Sequence, residues 1–350
     1  MDFSQYGEAS EEWRRLEATL PVPAELSAHE LQRSTNETRV NTAREEMKQL
    51  SHQMVMQDWH IPTRDGSHVE ARTYRSAAVS ATEPLPIYIH FHGGGFFFGT
   101  LASEDATCSR IALTTHTAVL NVNYRHTPSF NYPTAWHDSE DALAWVAEHA
   151  GDFAGDPSRI VVGGVSAGAY LTAALMLTLH REQNPLRHRI LGQVLMIPPL
   201  VHKEHSESYV KQLADPGLSS WIQLEYAPIL PVSRIDFFNS MAFQGPTLAD
   251  DWRANPGLVP AVDIAALPPA TFGICGADPL RDEGLIFAKM LQQTGVPTNV
   301  HVFKGLPHGF RRFGDKLPHG SRAWDDVYHG GIKWALANPQ PSAAFDVHVH

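Results

Sequence analysis

Pro86-Ile87-Tyr88-Ile89-His90-Phe91-His92-Gly93-Gly94-Gly95 and Ile160-Val161-Val162-Gly163-Gly164-Val165-Ser166-Ala167-Gly168 decide the fold. In each stretch a short apolar, β-branched run breaks off into glycine. Such runs suit buried strands, and the glycines begin at strand ends, where α/β sheets display their chemistry. A serine with glycine at both second neighbours suits a sharp strand-to-helix turn, because side chains at those positions would collide with the backbone around the exposed nucleophile. The glycine run supplies what the serine lacks, backbone N–H groups open to a developing oxyanion. Together the two turns imply acyl transfer.

Outward from these turns the same rhythm continues. Apolar strand-like runs at Val119 to Tyr124, Val194 to Ile197, Thr271 to Ile274 and Val300 to Phe303 alternate with helical patterns. Strands that alternate with helices predict a mostly parallel sheet with helices on both faces. Upstream, residues 53–75 read as two strands, with Pro62-Thr63-Arg64-Asp65-Gly66 as the turn of a hairpin. Trp13, Leu16 and Leu20 recur at helical spacing, Pro21-Val22-Pro23 interrupts, and Ser27-Ala28-His29-Glu30 has the form of a capping box. Val40, Ala43, Met47 and Leu50 then extend one apolar stripe. The stretch 201–260 breaks the pattern, rich in Pro, Ser, Trp and Phe without a clear period, and reads as an insertion of lid type. The expected organisation is N-terminal cap helices over 1–50, core over 51–200, a lid over 201–260, core again over 261–340, and a frayed tail over 341–350.

Composition bounds the function. The chain has 350 residues, 43% of them hydrophobic, enough for a large core. A formal net charge of -11 argues against nucleic acid or an anionic membrane as partner, since both favour a basic face. The N-terminal residues lack the basic start and apolar run of a secretory signal, and no stretch approaches the length of a membrane span, so a cytoplasmic protein is expected. Cys108 and Cys275, the two cysteines, sit in apolar surroundings and read as buried thiols rather than a disulfide. The 20 histidines are scattered, so neither metal nor cofactor is expected, and His348 and His350 are assigned to the frayed tail. A monomer and a homodimer both fit.

A serine nucleophile needs a base to take its proton and an acid to orient that base. Asp278 opens the segment after the run Thr271 to Ile274, and His308 follows Val300 to Phe303. The order Ser166, Asp278, His308 is the chain order of an α/β-hydrolase sheet.

These residues also carry a family resemblance. His92-Gly93-Gly94-Gly95-Phe96, Asn123-Tyr124-Arg125, Ser166-Ala167-Gly168, Asp278-Pro279-Leu280-Arg281-Asp282-Glu283-Gly284 and His308-Gly309-Phe310 resemble the hormone-sensitive-lipase-like branch of the α/β-hydrolase esterases, over about Pro86 to Phe310. The resemblance implies an α/β-hydrolase fold, a helical cap built from N-terminal helices plus the insertion, and a Ser166, His308, Asp278 triad. It also implies that Gly94, Gly95 and Ala167 donate the oxyanion-hole N–H groups, with Gly93 and His92 supporting the loop. The sequence departs from the branch where Val165, not Asp, precedes Ser166, where Ala169 follows Gly168, and where Ser129, not Glu, follows Pro128. The first departure implies altered hydrogen bonding at the elbow and a different substrate preference; the last implies a missing salt link.

The implied activity is carboxylic-ester hydrolysis of small to medium apolar esters, acetylated compounds or lactones. Acyl transfer, cyclisation or lactone opening at the same site, or a receptor that breaks no bond, are the alternatives. Phe96, Phe97, Val165 and Trp221 are candidate pocket residues, and Tyr226, Phe237, Phe238, Phe243 and Trp252 candidate roof residues. His92 reads as a residue that fixes the loop, while Asp138, Glu140, Asp141, Asp282 and Glu283 read as helix-start electrostatics.

Overall fold

Alternation of side chains along the strands divides the core into two layers. A computed structural model of the chain describes residues 1–21 and 26–350. Its nine-stranded sheet runs in the order β1-β2-β4-β3-β5-β6-β7-β8-β9. The strands are β1 (Met54–Pro62), β2 (His68–Ser76), β3 (Leu85–Phe91), β4 (Ala118–Asn123), β5 (Gly155–Val165), β6 (Ile190–Met196), β7 (Ala270–Ala277), β8 (Thr298–Pro307) and β9 (Val347–Val349). β1 and β2 form the expected hairpin, in register from Met54 opposite Ser76 to Pro62 opposite His68. β2 joins β4 antiparallel, and every pairing from β4 through β3 to β9 is parallel.

Every residue of β3 is buried, because helices cover both faces. On one face Tyr88, Val119, Val161, Val194 and Phe303 pack under α3 (Asp105–Thr115) and α11 (Pro318–Leu336), joined by Trp13 and Leu16 of α1 (Glu11–Glu17). On the other, Ile87, Ile89, Leu120, Val162, Phe272 and Val300 pack under α4 (Thr134–His149), α5 (Ala167–Arg181) and α10 (Arg281–Gln293). Cys108 and Cys275 are buried and unpaired.

The Ser27 capping box opens α2 (Ala28–Leu50), a helix of 23 residues. Of its apolar stripe only Ala43 is fully buried. Val22 and Pro23, part of the expected break before this helix, lie outside the described residues. The insertion carries α6 (Glu207–Val210), α7 (Ser220–Gln223) and α8 (Val232–Ala242), and α9 (Ala261–Ile264) follows it. It is tied to the N-terminus, since the Met1 ammonium donates to Gln212 O at 2.8 Å and Ala214 N–H to Met1 O at 2.7 Å.

The tail departs from the frayed segment expected of it. Val347–Val349 pair parallel with β8, His350 N–H donates to Val302 O at 2.9 Å, and Lys304 N–H donates to His350 O at 3.0 Å. The edge of β8 offers a row of unmet backbone groups, and an alternating Val-His segment satisfies them. The histidines add side-chain contact, with the His301 and His348 rings stacked 5.0 Å apart. Among the described residues no helix is long and apolar enough to cross a membrane.

Candidate active site

Ser166 stands between the end of β5 and the start of α5, at φ 53° and ψ -118°. For a residue with a side chain this is a strained backbone, and it is stabilised from outside by the bond from Ser166 N–H to Met196 O at 2.8 Å. The two flanking glycines fit the sequence argument, with a different obstacle. A Cβ on Gly164 would stand 2.3 Å from Phe91 O, and one on Gly168 1.8 Å from the same atom. It is the carbonyl at the end of β3 that makes both positions glycine.

Loops after β7 and β8 bring Asp278 and His308 to the serine. His308 Nε2 lies 2.9 Å from Ser166 Oγ, and Nδ1 lies 2.7 Å from Asp278 Oδ2. A carboxylate only accepts, so Nδ1 carries the proton and Nε2 is left to accept from the serine hydroxyl. Asp278 Oδ1 accepts from Leu280 N–H at 3.0 Å, which fixes the carboxylate's orientation. Both side chains are buried. The three residues form one hydrogen-bonded relay from carboxylate to hydroxyl.

Beside this relay runs the glycine loop. Gly94 and Gly95 both take positive φ, 141° and 63°. Among the described residues neither the Gly94 nor the Gly95 N–H has a protein acceptor. Ala167 opens α5, where first-turn N–H groups lack intrahelical partners. Gly93 lies against β5, since a Cβ there would be 2.8 Å from Val165 O and 3.4 Å from Val165 Cγ1. Val165 therefore packs on the glycine loop. His92 is buried, its ring stacked on Tyr124 at 4.5 Å, and its Nδ1 is 3.1 Å from Gly93 O. Burial pulls its imidazole down to about 4, which suits a neutral support.

The aromatic assignments divide. Phe97 meets Phe237 and Phe238 of α8, at ring distances of 5.5 and 6.4 Å. Phe238 also covers Gly95, where a Cβ would lie 2.5 Å from its ring. Trp221 packs with Phe238, Leu230, Ile235 and Leu280, two residues from Asp278. Phe96 instead turns into the core, stacked on Trp136 at 4.6 Å, so its place in the pocket is corrected. Its ring also lies near Tyr124 and Tyr170, at 6.2 and 5.8 Å, and its backbone takes a positive φ of 59°. Tyr226 is 86% exposed, which removes it from the roof. Trp252 serves the outer surface, under Arg181 and Arg253, and Phe243 packs on Tyr132 and Trp136.

The acidic residues read as helix-start electrostatics have partners of their own. Asp138 binds the Arg125 guanidinium at 2.6 Å, so a salt link is present despite Ser129, and Arg125 also reaches Asp65 at 2.6 Å. Asp141 holds Arg64 at 2.8 Å and Glu140 holds Arg253 at 3.1 Å. Asp282 accepts from Ser220 N–H at 2.7 Å and Glu283 from Leu200 N–H at 2.6 Å, which fastens the insertion to α10. Burial pushes the Glu283 carboxyl well above its ordinary range.

The sequence reading passed over Gln32, Asn36 and Arg39. Gln32 Nε2 donates to Phe97 O at 2.7 Å, Asn36 Oδ1 accepts from Gly99 N–H at 2.9 Å, and Arg39 Nη1 donates to Gly93 O at 3.1 Å. They recur at i, i+4 and i+7, one face of α2. A search for polar as well as apolar periodicity would have found them.

Comparison with known proteins adds a family. The pattern described as alpha/beta hydrolase fold matches residues 88–312. Carboxylesterase NlhH of Mycobacterium tuberculosis is 34% identical over 240 residues, 68% of this chain and 70% of that one. The versiconal hemiacetal acetate esterase of Dothistroma septosporum is 33% identical over 240 residues, 65% of this chain and 67% of its own. Among solved structures, that of vibralactone cyclase superposes with a TM-score of 0.87 at 25% identity, covering 96% of this chain and 97% of that one. The chain belongs to the α/β-hydrolase fold family, in its hormone-sensitive-lipase-like branch. It is a carboxylesterase-type hydrolase.

Proposed function

We propose that the chain hydrolyses carboxylic esters through an acyl-enzyme on Ser166. The observation that carries this is the relay itself, with His308 at 2.9 Å from Ser166 and 2.7 Å from Asp278, beside two glycine N–H groups without protein acceptors. His308 takes the hydroxyl proton as Oγ attacks the carbonyl carbon, and Asp278 holds the imidazole in the Nδ1–H tautomer and offsets the charge that forms. The N–H groups of Gly94, Gly95 and Ala167 receive the oxyanion. Collapse of the tetrahedral intermediate expels the alcohol, protonated by His308, and water repeats the sequence on the acyl-enzyme. The aromatic walls formed by Phe97, Phe238 and Trp221 favour small to medium apolar esters.

On p-nitrophenyl acetate, Ser166→Ala is expected to lose turnover by about 10⁶-fold, the scale on which a triad nucleophile acts. Rates within about tenfold of wild type would end the proposal. A fluorophosphonate adduct on Ser166 separates an enzyme from a receptor. The similarity to vibralactone cyclase supports a second reading, intramolecular acyl transfer at the same serine. Product analysis of a hydroxy-ester substrate decides, with lactone favouring cyclisation and free acid favouring hydrolysis.

A further inference from the structure

Gly93 O receives two donors, Arg39 Nη1 and His92 Nδ1, each at 3.1 Å. This carbonyl and the Gly94 N–H belong to one peptide unit. Donors on the oxygen draw electron density toward it and leave the N–H at the other end more positive, so a charged donor on one side strengthens the hydrogen bond given on the other. Arg39 is itself held, because its Nη2 donates to Glu104 Oε1 at 2.8 Å, and Glu104 Oε2 lies 3.2 Å from His90 Nε2. Burial pushes the Glu104 carboxyl up, but Arg39 and His90 outweigh it and keep it ionised. His90 continues to the Tyr328 hydroxyl at 2.9 Å, deep between sheet and α11. One end of the guanidinium is thus anchored in the core and the other is aimed at the glycine loop.

We propose that α2 of the cap is part of the oxyanion apparatus: Arg39 anchors and polarises the Gly93–Gly94 peptide, while Gln32 and Asn36 fix the far end of the same loop through Phe97 O and Gly99 N–H. The three are positioning residues, acting on substrate through the Gly94 and Gly95 N–H groups. The inference rests on the proposed role of those groups. It makes the cap helix more than a cover, since the loop holds its shape only with α2 seated.

Both acylation and deacylation pass through an oxyanion, so a weakened hole slows both steps together. The expected signature is a fall in kcat with KM nearly constant, and an equal loss of affinity for a trifluoromethyl ketone, which forms a tetrahedral adduct with the serine. Arg39→Gln alone leaves Glu104 buried without its countercharge and risks misfolding. The informative variant is therefore Arg39→Gln/Glu104→Gln, which neutralises the pair together. We expect kcat to fall about tenfold and the trifluoromethyl ketone Ki to rise about tenfold, with KM within about twofold, the scale of one charge-assisted hydrogen bond. Arg39→Lys, which retains the charge, recovers part of both losses. If the double variant does not fold, Asn36→Ala decides by the same signature at about threefold to fivefold, the scale of a neutral hydrogen bond. A folded variant, judged by its melting temperature, with kcat and Ki within about twofold of wild type overturns the proposal, as does a raised KM at constant kcat. Ser166→Ala is the control. If it stays active, the site itself is misassigned; if it is inactive and the variants above behave as wild type, only the role of α2 fails.

Discussion

Gly95→Ala probes the glycine loop with a single methyl group. Two costs follow from the structure. The residue sits at φ 63°, a left-handed backbone that costs an L-residue about 1–2 kcal/mol. The new Cβ would also stand 2.5 Å from Phe238 Cγ, where carbon pairs prefer about 3.5–4.0 Å. Loop or ring must therefore yield by about 1 Å, a displacement that costs catalysis roughly 10²-fold when it moves a positioned group. Losing one oxyanion donor outright costs about 10²–10³-fold, or about 2.7–4 kcal/mol, so kcat on p-nitrophenyl acetate is expected to drop by at least about 10²-fold. The double variant Gly95→Ala/Phe238→Ala removes the ring and leaves the backbone cost, and is expected to recover rates to within about tenfold of Phe238→Ala alone. A Gly95→Ala enzyme within about threefold of wild type would refute the placement of this N–H in the hole. Failure of the double variant to recover any rate would refute the steric half of the reasoning.

Gly168→Ala is more severe, because its methyl would meet a backbone carbonyl at 1.8 Å with no side chain to rotate away. Neither a soluble folded enzyme nor turnover above the Ser166→Ala background is expected, and a melting curve near that of wild type would contradict it. Asp278→Asn retains the shape of the acid but favours the opposite His308 tautomer. It should lower kcat by about 10⁴-fold with little change in melting temperature, and a drop under about tenfold would remove Asp278 from the relay. Stability should depend on pH through His92. Its folded value near 4 lies below the ordinary 6.5, so below 6.5 the unfolded chain takes a proton that the folded one refuses. Stability is complete above that pH and falls by about 3 kcal/mol as pH drops toward 4. Urea midpoints from pH 7 to 4.5 measure it, and an unchanged slope in His92→Gln would contradict the assignment.

Strand ends, glycines and residue order were legible because they obey local rules. A buried parallel strand has to be an apolar run, and a close approach of backbone to backbone selects glycine, so Ile87 to Phe91 and Gly164 to Gly168 announce themselves. Asp278 and His308 were reached because each follows such a run. Three consecutive phenylalanines do not say which ring turns inward, and Phe96 does so by stacking on Trp136, a residue 40 positions away. The ion pairs of Asp138, Asp141 and Glu140 were read as local helix effects, since their partners Arg125, Arg64 and Arg253 lie on other elements. The same holds for Arg39, whose target is 54 residues away along the chain. The tail's order is not local either, since β9 pairs along the open edge of β8, which the residues 341–350 do not themselves reveal.

The proximity of Gly93, Gly164 and Gly168 to the ends of neighbouring strands has a further consequence. β3 and β5 are adjacent, Phe91 opposite Gly164, so the two turns abut along a seam where backbone meets backbone, bordered by the Val165 side chain. The halves of the site are therefore dovetailed rather than merely near. Neither the serine nor the glycine loop can be shifted alone, and a designer who wants a different distance between attacker and oxyanion must change the stagger of two strands, not the residues at their tips.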